Sequence, residues 1–185
     1  MDKIKVVLIS DADEIDGKLA EKELCEFFAG EDLSVFNCAE LKIEYCIGCF
    51  SCRYKTPGKC IYSDAMNEIL PAMVNADTII LLSRLEFGCY SSCIKRVLDR
   101  TIPFETPFLR TAYGETHLAP RYPKKRKLLT VAYSEEIDAE EAVLFTRLTK
   151  RNSLNLDAEW TRPVFLREGE DAGKKIRRVY GESVK

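Results

Sequence analysis

The chain predicts a three-layer α/β/α sandwich on a five-stranded parallel sheet in the order 2-1-3-4-5. Short unbroken apolar runs, such as Val6-Val7-Leu8-Ile9 and Thr78-Ile79-Ile80-Leu81-Leu82-Ser83, read as strands covered on both faces. Between them lie stretches whose apolar residues recur at helical spacing. Their alternation implies right-handed parallel crossovers, in which ligands sit beyond the carboxyl ends of strands one and three. At 185 residues the reading is a single domain over residues 1–185, with a cysteine-rich loop at 45–62 and a long excursion at 103–126.

Residues 17–28 carry Ala20, Leu24, Phe27 and Phe28 at helical spacing, and Gly30 supplies a stop. Residues 33–37 form the second strand. After the cysteine loop, Ser63 is placed to cap a helix with Met66, Ile69, Leu70, Met73 and Val74 on one face, kinked at Pro71. Residues 78–83 form the third strand, followed by a helix with Ile94, Val97, Leu98 and Thr101 inward. The fourth strand covers 128–133. Asp138 with Glu141 resembles a capping box for a helix bearing Val143, Leu144, Phe145 and Leu148. Pro163 places the last strand, 163–166, at an edge, because proline has no N–H to donate. A short basic segment, 174–180, follows. The excursion, with four prolines among Phe104, Phe108, Tyr113 and Tyr122, reads as an irregular loop that covers the site or packs on another subunit.

A formal charge of -2 argues against a nucleic-acid binder, and the cluster Lys124-Lys125-Arg126-Lys127 reads as a solvated loop end. No segment has the length and apolarity to span a bilayer, and the N-terminus lacks a secretory core, so the expected compartment is the cytoplasm. There thiols stay reduced, and eight cysteines point to metal or redox work rather than disulfides.

Four of the eight stand close together, at Cys46, Cys49, Cys52 and Cys60. Two-residue spacers let three sulfurs leave one tight turn with Gly48 inside it, and Pro57-Gly58 turns the chain back to bring in the fourth. Four thiolates suit an iron–sulfur cluster or zinc, with a metal-free thiol loop as the alternative. Arg53, Lys55 and Lys59 are placed to offset their charge. Cys89 and Cys93 share a helix face, as redox-active thiols or simply as small packed residues; Cys25 and Cys38 read as core thiols. His117, the one histidine, has no recognisable partner.

Three stretches carry a resemblance: the cysteine run with Ser63-Asp64-Ala65-Met66 behind it, Ala76-Asp77-Thr78-Ile79-Ile80 leading to Ser83, and Phe87-Gly88-Cys89 with Ser92 and Lys95-Arg96-Val97-Leu98-Asp99-Arg100. The chain resembles the flavodoxin-like iron–sulfur flavoproteins and NAD(P)H-dependent FMN reductases. The resemblance implies FMN at the switch point, held by Ser10 after strand one, by Ser83, Arg84, Leu85, Phe87 and Gly88 after strand three, and by Ala132, Tyr133 and Ser134 after strand four. It implies a [4Fe–4S] cluster on Cys46, Cys49, Cys52 and Cys60, fed by NAD(P)H or a reduced carrier. Catalysis then belongs to the cofactors, and no side chain is assigned as acid or base.

The chain departs from that pattern at three loops. Where relatives hold the FMN phosphate with Ser, Thr and Arg, it reads Ser10-Asp11-Ala12-Asp13-Glu14-Ile15-Asp16. A carboxylate ~6 Å from a phosphate charge costs about 0.7 kcal/mol in water and ~3 kcal/mol at an effective dielectric of about 20. Against that, a helix N-terminus contributes only ~1 kcal/mol. Arg84 and Glu86 stand where relatives carry a Pro-x-Tyr element, and Glu135-Glu136 replace a small loop after strand four. Two functions follow: an FMN-dependent oxidoreductase acting on a redox carrier or small molecule, or a non-catalytic subunit with a degenerate FMN site that binds a metal centre or a partner. A homo-oligomer or a paired flavodoxin-like subunit is expected in either case.

Overall fold

The computed structural model describes residues 3–181, in which strands and helices alternate as predicted. The chain runs through Lys5–Ser10 (β1), Ile15–Phe27 (α1), Asp32–Asn37 (β2), Ser51–Tyr54 (α2), Met66–Asn75 (α3), Thr78–Glu86 (β3), Cys89–Tyr90 (β4) and Ser92–Asp99 (α4). A 3-10 turn, Ile102–Phe104, leads to Glu105–Ala112 (β5), Glu115–Pro120 (β6), Arg126–Ser134 (β7), Ala139–Asn155 (α5), Ala158–Arg167 (β8) and Ala172–Gly181 (α6). The five long parallel strands lie in the order β2-β1-β3-β7-β8, which is the anticipated 2-1-3-4-5 once the short antiparallel strands are set aside. The fold is flavodoxin-like. Among the described residues, no helix is long and apolar enough to cross a membrane.

Strand alternation explains the three layers. Val7, Ile9, Ile79 and Leu81 enter one apolar core with Ile69 and Met73 of α3, Ile94 and Val97 of α4, and Phe145 of α5. Val6, Leu8, Ile80 and Leu82 enter the other, with Leu24 of α1 and Ile176 of α6. Both sheet faces are covered, so the strands read as unbroken apolar runs. The basic segment near the end of the chain is part of α6, whose Tyr180 packs edge-on against Phe28 and hydrogen-bonds Thr78. Basic residues on its outer face hid its apolar stripe.

Several local expectations need correction. Ser63 does not cap α3: Ala65 stands at the N-cap, and Asp64 accepts the Met66 N–H at 3.1 Å from just before it. Asp138 caps α5 as anticipated, accepting the N–H groups of Glu140 and Glu141. Pro163 lies in β8, which is an edge strand. The excursion is not irregular: β5 and β6 pair antiparallel across Tyr113-Gly114, both at positive φ, the geometry of a two-residue type I′ turn. Its prolines concealed it, yet Pro107 falls where the register shifts and Pro120 at a strand end, sites that tolerate a missing N–H.

The basic cluster that leads into β7 is bonded rather than solvated. Arg126 is buried, donates to the Leu156 and Val74 carbonyls and stacks on Phe104. Lys124 pairs with Asp77 and Lys125 with Asp157. These contacts join residues distant in sequence, and a charge run alone does not reveal them.

Candidate functional site

Two features carry chemistry: a crevice at the carboxyl ends of the parallel strands and the cysteine loop beside it. The chain leaves β1 toward β2 on one side, and β3 lies on the other, so the switch point opens between β1 and β3. A crevice of ≈ 360 Å³ lies there, lined by Glu14, Asp16, Arg84, Tyr133, Ser134, Glu135 and Glu136. That volume is at the lower end of ligand-sized sites.

Asp11 organises its floor. The side chain is buried, accepts the Arg84 N–H at 3.0 Å and the Ser83 hydroxyl at 3.3 Å, and takes the Tyr133 hydroxyl at 3.0 Å. The Ser91 N–H, at the cap of α4, donates to Ser83 Oγ and ties that helix to the network. Tyr133 reaches Asp11 by crossing α1 at Gly17, where a Cβ would stand 2.7 Å from the tyrosine oxygen. Burial raises the Asp11 pKa, and hydrogen bonds from Ser91, Arg84, Tyr133 and Ser83 offset only part of the rise. Burial and the neighbouring Asp11 carboxylate likewise raise Tyr133.

The Asp11 shift has a definite sign in stability. Above the unfolded value of 3.8 and below the raised folded value, the native state holds more protons than the unfolded chain. Stability attributable to Asp11 therefore falls as pH rises through that window. In urea unfolding, the gap between Asp11→Asn and the parent should shift in favour of the variant as pH rises from about 4 to about 7. A gap that stays level, or moves the other way, contradicts the assignment.

The residues assigned to FMN scatter. Arg84, Tyr133 and Ser134 line the crevice. Ser83 lies beneath it, and Ser10 is buried with its hydroxyl on Glu21. Ala132 and Leu85 point into the core on the α3 and α4 side of the sheet. Arg84 and Leu85 belong to β3 itself, which runs to Glu86 and folds back into β4 through Phe87-Gly88, a second turn with two positive φ values. Phe87 is 92% exposed at its tip, and Gly88 packs against Leu144 of α5. Arg84, the cation lining the crevice, is ion-paired with Glu14.

In the cysteine loop, Gly48 and Phe50 adopt positive φ and turn the chain into the single turn of α2. Gly58, at φ +82°, donates to the Cys52 carbonyl at 2.9 Å and closes the return. Cys46, Cys49, Cys52 and Cys60 line one pocket together with Phe50, Tyr62, Arg100 and Pro103. Cys52 is buried and Cys60 half-buried, while Cys46 and Cys49 are exposed. Burial raises the Cys52 thiol, and Cys60, Cys49 and Cys46 raise it further by repulsion. Hydrogen bonds from Ser51 lower Cys49. Among the described residues, no three His, Cys, Asp or Glu side chains are grouped as ligands of a single metal ion.

Arg100 locks this loop to α4. Its guanidinium donates to the Glu44 carbonyl at 2.7 Å and to both Asp64 oxygens at 2.8 and 3.1 Å, and it stacks on Tyr62. Burial works against its charge, but Asp64 and then Cys60 outweigh it and leave the pKa above the usual arginine value. Burial would raise Asp64, but hydrogen bonds from Arg100, Glu44 and Met66 outweigh it and leave the carboxyl below the usual value. Arg53, expected to offset thiolate charge, instead pairs with Glu105 at 2.8 Å and anchors the β5–β6 hairpin over the loop. Lys55 acts on Cys49 as anticipated.

The donor set suits an iron–sulfur centre: four thiols on one pocket, with a buried cation behind Cys60. The crevice does not suit the phosphate of FMN, because carboxylates line it and its cation is already paired. Between the two features stands α4, with Ser91 at one end in the Asp11 network and Arg100 just past the other end in the cysteine pocket. Eight helical residues span about 12 Å.

Asp11 and Arg100 were absent from the candidates. Asp11 is the first residue after an apolar strand, where a carboxylate reads as one more loop acid. Arg100 follows an apolar helix face and reads as a surface cation.

No protein-family model matches the chain. It is 35% identical over 116 residues to an iron–sulfur flavoprotein of Methanocaldococcus jannaschii, spanning 60% of this chain and 59% of that one. It is 30% identical over 87 residues to an iron–sulfur flavoprotein of Archaeoglobus fulgidus, spanning 46% of this chain and 39% of the relative. The chain thus matches less than two thirds of either relative's length. Among solved structures, an FMN-dependent NADH-azoreductase from Bacillus anthracis superposes with a TM-score of 0.64 at 15% identity, covering 100% of both chains. An NAD(P)H:quinone oxidoreductase from Methanothermobacter marburgensis superposes at 0.62 with 11% identity, covering 97% of this chain and 92% of that one. The sequence relatives and the structural neighbours are thus of the two kinds that the cysteine run and the strand pieces resemble.

Proposed function

We propose that the chain is an electron-transfer oxidoreductase of the iron–sulfur flavoprotein type, centred on a [4Fe–4S] cluster held by Cys46, Cys49, Cys52 and Cys60. The observation that carries the reading is that all four thiols line one pocket, backed by Arg100. When bound, such a centre supplies one-electron transfer. Cys52 and Cys60 would hold it from the more buried part of the pocket, and Arg100 would offset its negative charge. Cys46 and Cys49 face solvent, where a reduced carrier has access; NAD(P)H is the other candidate donor. A flavin in the carboxyl-end crevice is the cofactor this reading adds, supported by the flavoprotein relatives and by the FMN bound to the Bacillus anthracis azoreductase. Eight free thiols agree with a reducing cytoplasm.

A second reading has one observation in its favour. Arg84 is committed to Glu14, and the Arg84 N–H to Asp11, as in a chain whose FMN site is degenerate and whose electrons pass to a partner. Exposed Phe108, Leu109 and Tyr113 on the hairpin, with Tyr45, Ile47 and Phe50 on the cysteine loop, offer a surface for a second copy or a paired flavodoxin-like subunit.

Oxygen-free purification tests the common core of both. Iron and labile sulfide near four of each per chain, with a broad visible band bleached by dithionite, are expected (roughly four by cluster type). Preparations that stay colourless and free of iron after anaerobic reconstitution exclude it.

A further inference from the structure

We infer that the carboxyl-end crevice discriminates against the phosphate of FMN and takes a flavin with an uncharged polyol tail, of the riboflavin class. This rests on the proposal that a flavin occupies the crevice at all. The anion position of the switch point is already filled from within. Two donors that converge there, the Arg84 N–H and the Tyr133 hydroxyl, are spent on the Asp11 carboxylate, which is 4% exposed. The Ser83 hydroxyl is shared between Asp11 at 3.3 Å and the Arg84 carbonyl at 2.8 Å. The crevice's cation, Arg84, is neutralised by Glu14. Asp16, Glu135 and Glu136 complete the wall without a further cation among its lining residues.

The same wall suits a polyol. Ionised carboxylates are acceptors only, so they repel a phosphate dianion but accept O–H donors. A ribityl chain ending in a hydroxyl brings several such donors and no charge. At the start of α1 no side chain caps the helix, leaving backbone N–H donors open. Asp13, Glu14 and Asp16 flank them, which favours a neutral acceptor over a charged one.

The test is equilibrium titration of the full chain with riboflavin and with FMN, followed by flavin fluorescence at low salt and at about 1 M salt. Riboflavin should bind roughly tenfold tighter at low salt, and the gap should narrow at high salt as the Debye length falls to ~3 Å. Glu14→Gln frees Arg84 at an exposed position and should narrow the gap by raising FMN affinity alone. Asp11→Ser should do the same by releasing the Arg84 N–H, but it alters a buried network, so the exposed variant decides if it misfolds. FMN binding as tightly as riboflavin, or tighter, overturns the inference and leaves the flavin proposal standing. Failure of both flavins to bind natively folded chain overturns the inference together with the flavin assignment. A Glu14→Gln chain with an unchanged gap overturns the electrostatic origin of the discrimination.

Discussion

Replacing Arg100 with Ala is expected to cost about 3–5 kcal/mol of stability, the usual penalty for orphaning one member of a buried ion pair. The Arg100 side chain is 1% exposed and that of Asp64 2%, so the remaining carboxylate could not recover its hydration. Truncation would also release the Glu44 carbonyl, which accepts from Arg100, and the Tyr62 ring stacked on it. Those groups bracket the cysteine loop on both sides, so the loop should loosen before the sheet does. Urea unfolding measures the loss. The double variant Arg100→Met with Asp64→Leu should recover much of it, because no buried charge is then left unpaired. A single variant within about 0.5 kcal/mol of the parent would mean that the pair is hydrated and does not clamp the loop.

Cys52→Ser is expected to abolish iron binding at the proposed centre while leaving the fold intact. The serine hydroxyl does not ionise at neutral pH, so one of four thiolate ligands is lost. Cys52 is the buried member, in the one turn of α2, and lines one pocket with Cys60, Cys49 and Cys46. After anaerobic reconstitution, iron and labile sulfide should fall to background with an unchanged far-ultraviolet circular dichroism spectrum. Cys25→Ser serves as the control: Cys25 is half-buried on α1, packs with the core on the other face of the sheet, and should leave iron content unaffected. Full iron retention by Cys52→Ser, or equal loss in Cys25→Ser, would remove the four-cysteine site.

The two sites differ in how much of them the sequence carries. The ligands proposed for a cluster lie close together in the chain, so Cys46, Cys49, Cys52 and Cys60 are legible as a set from spacing alone. The cation behind them is not, because Arg100 lies 36 residues from Asp64 and 56 from Glu44. The acidic loop after β1 is visible in the sequence as a misfit for phosphate. That Asp11 turns inward to take the Arg84 N–H, 73 residues away, and the Tyr133 hydroxyl, 122 away, is visible only when folded.

Local periodicity determined the central parallel strands and most of the helices, because a strand covered on both faces must be apolar at every position. The flavodoxin-like resemblance supplied the order of the sheet, which right-handed crossovers alone leave open. Tertiary structure decided the rest: the hairpin hidden among prolines, the second turn at Phe87-Gly88, the helix under the basic run, and which carboxylates are buried. Each depends on contacts between residues far apart in the chain. A side chain's meaning there is set by the partner opposite it, and the residues beside it in sequence carry no record of that partner.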